Sequence, residues 1–266
     1  MPGVLTQVLW RRRFSLLWWS LGVLGADALL ALAYPTVRDN SELDKTFAGL
    51  PPAVQAALGL QAGALTSPAG YLNSQYFANL LPVMLLVFAI GLAAWSIGGD
   101  EGAGTLELLL SNPISRFRVA FERATAVLVE LTALLAVAAL GLVVLAPFTG
   151  LTAGLSSGRI LQAAVATGFL ALSFSAIAFA VGAATGSRGA AISMASAAAV
   201  ALFMIEGLAE QVKLLRPIRE ASPWHWLLGT DPIRNGLGWE SWLLPGAVSA
   251  ALMIAGTLAF ARRDLH

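Results

Sequence analysis

Three carboxylates are conspicuous for where they lie: Asp27, Glu130 and Glu206 fall within or at the ends of long apolar runs. A charge at the centre of a bilayer costs about 2.5–3.5 kcal/mol on insertion scales, so such groups face a cavity or a partner. Two chemistries suit them. They can form a polar patch on a translocation path, or they can fix helix packing as hydrogen-bonded or protonated carboxyls. The sequence leaves both open. Asp27 is nearest the middle of its run, Glu130 lies roughly two helical turns inside its own, and Glu206 sits near an end.

Other chemistry is thin. The chain has no cysteine, which excludes disulfides and thiolate sites, and its two histidines, His225 and His266, lie far apart, so no metal site is expected. The glycine-rich run Gly98 to Thr105 has the glycine spacing of a phosphate loop at Gly99 and Gly104. Thr105 follows directly, however, and the lysine that would reach the phosphates is missing. There is no HExxH metalloprotease motif, and Ile97-Gly98-Gly99-Asp100 lacks the first glycine of a GxGD protease motif. The chain is therefore not expected to hydrolyse nucleotide or act as an enzyme.

The elements that position these residues follow from composition. Of 266 residues, 58% are hydrophobic and 12% charged, and the mean hydropathy is +0.76. Globular domains carry about 25% charged residues, so this is an integral membrane chain. Residues 1–266 read as one membrane domain, because no polar segment is long enough to fold apart. About 20 apolar residues cross the hydrocarbon as a helix. Six stretches qualify, near 16–34, 76–97, 124–147, 160–185, 190–208 and 242–261. All are helical, since backbone groups in lipid must bond within their own segment and none of the stretches alternates like a strand.

Val4, Leu5, Val8 and Leu9 recur at helical spacing ahead of Arg11, Arg12 and Arg13, which suits a short interfacial helix before the first span. A signal peptide ending near Ala31-Leu32-Ala33 is the weaker reading, because the run is long for one and Asp27 interrupts it. With the N-terminus inside, nine Lys and Arg residues fall inside and seven outside, four of the seven in the long segment 209–241 where the rule is weaker. Both termini are thus expected on the inner side. Segment 35–75 is expected to be partly helical, and the run Gln211 to Trp226 to be an interfacial helix broken at Pro217 and Pro223. Residues 186–189 form a tight turn between the fourth and fifth spans, Gly182 and Gly186 allow close helix approach, and Ser173 and Ser175 suit interhelical hydrogen bonds.

The longest polar interruption near the middle of the chain is Gly99 to Arg123. Wound as a helix, it gathers Leu106, Leu109 and Leu110 on one face and turns Leu108 the other way, between the carboxylates of Glu101 and Glu107. Such a leucine is a knob for a partner's groove. Asn112-Pro113 ends that helix, Ser115 can cap the next, and Arg116, Arg118 and Arg123 are placed for anionic headgroups.

Glu101, Gly104-Thr105-Leu106-Glu107, Leu109-Leu110 and Pro113-Ile114-Ser115-Arg116 resemble the E-x-x-G-T-L-E-x-L-L-x-x-P-[VI]-S-R signature of the permease subunits of type 2 ATP-binding-cassette transporters. The similarity covers nearly the whole chain, including Ser222-Pro223-Trp224 before the last span and the tail Arg262-Arg263-Asp264-Leu265. It implies that the loop between the second and third spans carries a coupling helix that docks on an ATPase subunit. That role falls on Glu101, Gly104, Thr105, Leu106, Glu107, Pro113, Ser115 and Arg116. The resemblance further implies two cassette ATPase subunits holding ATP and Mg, a second permease subunit, and export across the plasma membrane of a prokaryote. The mostly apolar path suits a hydrophobic drug, lipid or peptide, and nothing in the chain points to nucleic acid. The rival class is a self-contained secondary transporter that uses Asp27 and Glu130 as proton or cation carriers.

Overall fold

The computed structural model describes residues 3–40, 46, 49–51, 54, 65–102, 104, 114–209, 211–229 and 231–263. Among them the chain is all helix and turn, with no strand. Six helices are long and apolar enough to cross a membrane: Val4–Arg38, Pro68–Gly102, Arg116–Thr149, Ser157–Thr185, Arg188–Leu208 and Glu240–Arg262, the first to sixth spans. Each encloses one of the six apolar runs read from the sequence. At about 1.5 Å per residue the 35-residue first span is roughly 52 Å long, well beyond the hydrocarbon thickness.

That length absorbs the N-terminal segment, so the separate interfacial helix expected there is replaced by a continuous one from Val4 to Arg38. The physical reason is local. No proline or glycine lies between Leu5 and Leu21, and the arginines are good helix formers. Val4 and Val8 are buried, and the Leu5 amide, one of the orphan donors of a first helical turn, bonds Glu122 of the third span at 2.9 Å.

The fourth span is the hub of the bundle and packs on the second, third, fifth and sixth, whereas the first packs chiefly on the third. Small residues bring these helices close. A Cβ added at Gly256 would lie 2.8 Å from the Ala180 backbone, and Ser249 of the sixth span bonds Ser173 of the fourth at 3.3 Å. The first and fifth spans bury only 22% and 17% of their apolar windows, so most of their apolar surface faces outward. The second span is π-helical over Leu72–Leu80, just before Pro82, and again over Trp95–Gly99.

Both ends of the described chain lie at one end of the bundle, here called the arginine-rich end. The fourth span stops there at Gly186, whose φ of 69° is left-handed, and Ser187 caps the fifth by accepting from the Ala190 amide at 3.2 Å. At the opposite end, Pro217 and Pro223 begin helices, Arg216–Glu220 and Pro223–Leu227, and do not break one. Proline suits a first turn because its missing N–H is not needed there. In the same region Gly154-Leu155-Ser156-Ser157-Gly158 has the GxSxG spelling of a nucleophile elbow. Ser156 instead caps the fourth span, accepting from the Arg159 amide at 3.4 Å, with no strand before it.

Candidate functional site

The run Gly99 to Arg123 leaves the second span and enters the third at the arginine-rich end, and residues at its two ends are tied to the first and sixth spans and to the end of the fourth. Asp100 follows the second π-helical turn and is 5% exposed. Its carboxylate lies 2.6 Å from the guanidinium of Arg123, which also donates to the Ser96 carbonyl. Arg11 of the first span reaches the other Asp100 oxygen at 3.9 Å. One carboxylate on the second span is thus held by cations on the first and third.

Trp95 extends the joint. Arg11 and Arg12 lie 5.5 and 5.1 Å from its ring centre, within cation–π range. Arg12 continues to Glu130 of the third span at 3.1 Å, and Glu130 is only 1% exposed. Gly98 presses on the turn between the fourth and fifth spans, where a Cβ would come 2.6 Å from the Arg188 amide nitrogen.

Glu101 pairs with Arg263 at the end of the sixth span, and its carboxylate covers Gly186 so closely that any side chain there would overlap it. Arg116 donates to the Arg263 carbonyl. Gly104 turns the chain away with a φ of 68°, and its amide bonds the Glu101 carbonyl at 3.0 Å. Ser115 caps the third span by accepting from the Arg118 amide at 3.3 Å. Glu101, Gly104, Ser115 and Arg116 therefore frame the run from both sides. Thr105, Leu106, Glu107, Leu108 and Pro113 lie outside the described residues.

Arg123 corrects one expectation. It is 2% exposed and does not face headgroups. The third span begins at Arg116, so Arg123 lies about two turns inside, on the stripe that also buries Val119, Val127 and Glu130. That spacing was the signal available in the sequence, a cation and a carboxylate seven residues apart on one apolar face. Arg12, Trp95 and Asp100 carried no comparable signal.

The three membrane carboxylates are not brought together. Asp27 is fully buried, accepts from the Tyr76 hydroxyl, and turns its other oxygen toward Gly141, where a Cβ would sit 2.6 Å from it. Glu130 belongs to the Arg12 pair just described. Glu206 lies at the opposite end and accepts from Arg219 at 3.0 Å, with His225 Nδ1 3.3 Å from the same oxygen. Asp27 and Glu130 each face a partner on another span.

Six helices long and apolar enough to cross a bilayer, with ionic groups gathered toward their two ends, define a multi-pass membrane protein. The chain belongs to the ABC-2 transporter family: the model of the ABC-2 family transporter protein matches residues 17–265. No curated protein matches it. The chain is thus an ABC transporter permease, a membrane subunit for transmembrane transport, as the signature at residues 101–116 indicated. Such subunits are generally non-enzymatic and typically work with ATPase components.

Proposed function

We propose that this chain is the membrane half of an ATP-driven exporter in a prokaryotic plasma membrane. Residues 99–123 receive the push of a separate ATPase subunit. Two such ATPases, holding ATP and Mg, act on this chain and on a second permease, identical or homologous. The arginine-rich end faces the cytoplasm, in line with the bias of Lys and Arg toward it. The cargo is a hydrophobic drug, lipid or peptide, moved through a path between the two permeases.

The observation that carries this reading is the joint beneath the run. Asp100, Glu101, Arg116 and Arg123 flank residues 102–115 and are bonded to one another or to Arg11 and Arg263. Displacement of the run is delivered to the first, second, third and sixth spans at once, and through Gly98 to the turn between the fourth and fifth. Packed interfaces of this kind switch between discrete arrangements and do not deform smoothly.

The test is Glu107→Lys combined with Leu108→Ser in the chain reconstituted with its ATPase. Transport and transport-linked stimulation of hydrolysis are both expected to fall to background, while the variant purifies and melts like the parent. If both activities persist unchanged, the coupling assignment is overturned. Capture of a cassette ATPase by the tagged chain tests the partner directly.

A further inference from the structure

At the end of the bundle away from Asp100 and Arg123, a pocket of about 210 Å³ is lined by Arg216, Arg219, Glu220 and His225. Its volume is below the roughly 300–1,000 Å³ of drug-sized sites, so it suits a small polar group. The backbone around it and two of its lining side chains are held in place. The Trp224 indole donates to the Ala199 carbonyl of the fifth span at 3.1 Å, and the Trp226 indole donates to the Glu220 carbonyl at 2.6 Å. Behind the pocket Glu206 holds Arg219 and His225 on a single oxygen, which fixes the direction of both.

The depth of the pocket is set by its neighbours. Glu206 is two residues from the end of the fifth span, and the half-buried Trp226 and exposed Trp239 belong to the same end of the bundle. Tryptophans favour the headgroup level of a bilayer, so the pocket lies beside lipid headgroups. Its charges have both signs. Neither the Arg216 guanidinium nor the Glu220 carboxylate makes a hydrogen bond or ion pair among the described residues, although the two are spaced i,i+4 on one short helix. A pocket that presents an uncommitted cation and an uncommitted anion is complementary to a zwitterion.

We propose that this pocket binds a phosphoethanolamine group, with the phosphodiester oxyanion on Arg216 and Arg219 and the primary ammonium on Glu220. Guanidinium forks match phosphate oxyanions, and a carboxylate rewards an ammonium that still carries its protons. The proposal needs only that the six helices cross a bilayer, and it stands apart from the ATPase reading. The occupant is either a membrane lipid headgroup or a soluble glycerophosphodiester.

The full chain, purified in detergent, is titrated with dioleoyl phosphatidylethanolamine and dioleoyl phosphatidylglycerol by native mass spectrometry, and with glycerophosphoethanolamine by calorimetry. The ethanolamine lipid is expected to bind about tenfold more tightly than the glycerol lipid, the size of one charge-assisted hydrogen bond. Arg216→Gln should weaken both lipids about tenfold, and Glu220→Gln should erase the difference between them. Both side chains are exposed and uncommitted, so the variants should melt like the parent. Binding of the soluble diester with the same dependence on Arg216 supports the site and admits the free compound, whereas lipid binding without it supports the site and assigns it to the bilayer. Equal binding of the two lipids by the parent chain, or lipid binding unaltered in both variants, overturns the proposal.

Discussion

Asp100 and Arg123 meet across the second and third spans at 2.6 Å with side chains only 7% and 3% exposed. Removing Asp100 takes the carboxylate from a buried guanidinium, at a cost of about 3–5 kcal/mol, and removing Arg123 leaves Asp100 to the more distant Arg11, whereas replacing both with apolar residues of similar volume is close to neutral. Asp100→Leu and Arg123→Met should each lower the unfolding midpoint strongly in SDS titration, and the double variant should recover most of the loss. If the double variant loses the sum of the two single effects, the pair is not the unit that stabilises this joint.

The glycines of the second span should divide sharply. Gly98→Ala places a methyl 2.6 Å from the Arg188 amide nitrogen, so the turn between the fourth and fifth spans must shift, at a cost of about 1–3 kcal/mol for overpacking. Gly91→Ala meets nothing within 4 Å and should be neutral or slightly stabilising. Thermal melts of the two variants, measured side by side, check the contrast; equal melting would deny the close contact at Gly98.

Asp27 separates two mechanisms. Asn is close to isosteric and can still accept from Tyr76, so Asp27→Asn should leave ATP-driven transport in place. A self-contained carrier would instead run on an ion gradient with the purified chain alone and would lose all activity in this variant. Tyr76→Phe, which strips Asp27 of its donor, should cost about 1–3 kcal/mol of stability.

Asp231 sets a pH dependence outside the spans. Burial pushes its carboxyl above the usual range, opposed by the Arg234 amide and guanidinium. The folded state therefore binds this proton more readily than the unfolded chain. Its contribution is fully present below the unfolded pKa and is lost as pH rises through the folded value. Asn tolerates the left-handed backbone at this position, where φ is 52°. Asp231→Asn should thus melt above the parent at neutral pH, with the gap closing as the pH is lowered into the acid range. A gap that widens on acidification would contradict the sign.

The six spans were legible because length and apolarity alone decide them, and the carboxylate positions because charges are rare inside those runs. Arg123 was not, since its depth depends on where the third span begins, and an arginine near a span end reads as a headgroup contact. The N-terminal helix was misjudged for a related reason: Val4, Leu5, Val8 and Leu9 mark an apolar face but not whether lipid or the third span covers it. The π-helical turns around Leu72–Leu80 and Trp95–Gly99 leave no trace in apolar periodicity. The joint at Asp100 was invisible because its partners are contributed by helices distant in sequence.

The attachment of the first span to the third has a consequence for biogenesis. Arg12 is synthesised 118 residues before Glu130, its carboxylate partner. At about 5–20 residues per second that gap is roughly 6–24 s. Through that interval the earliest helix resides in the membrane with its buried ion pair to the third span still unmade, held by the second span and by whatever the insertion machinery supplies. Truncated nascent chains ending before residue 116 should consequently be far more sensitive to proteolysis near the N-terminus than chains extended past residue 145.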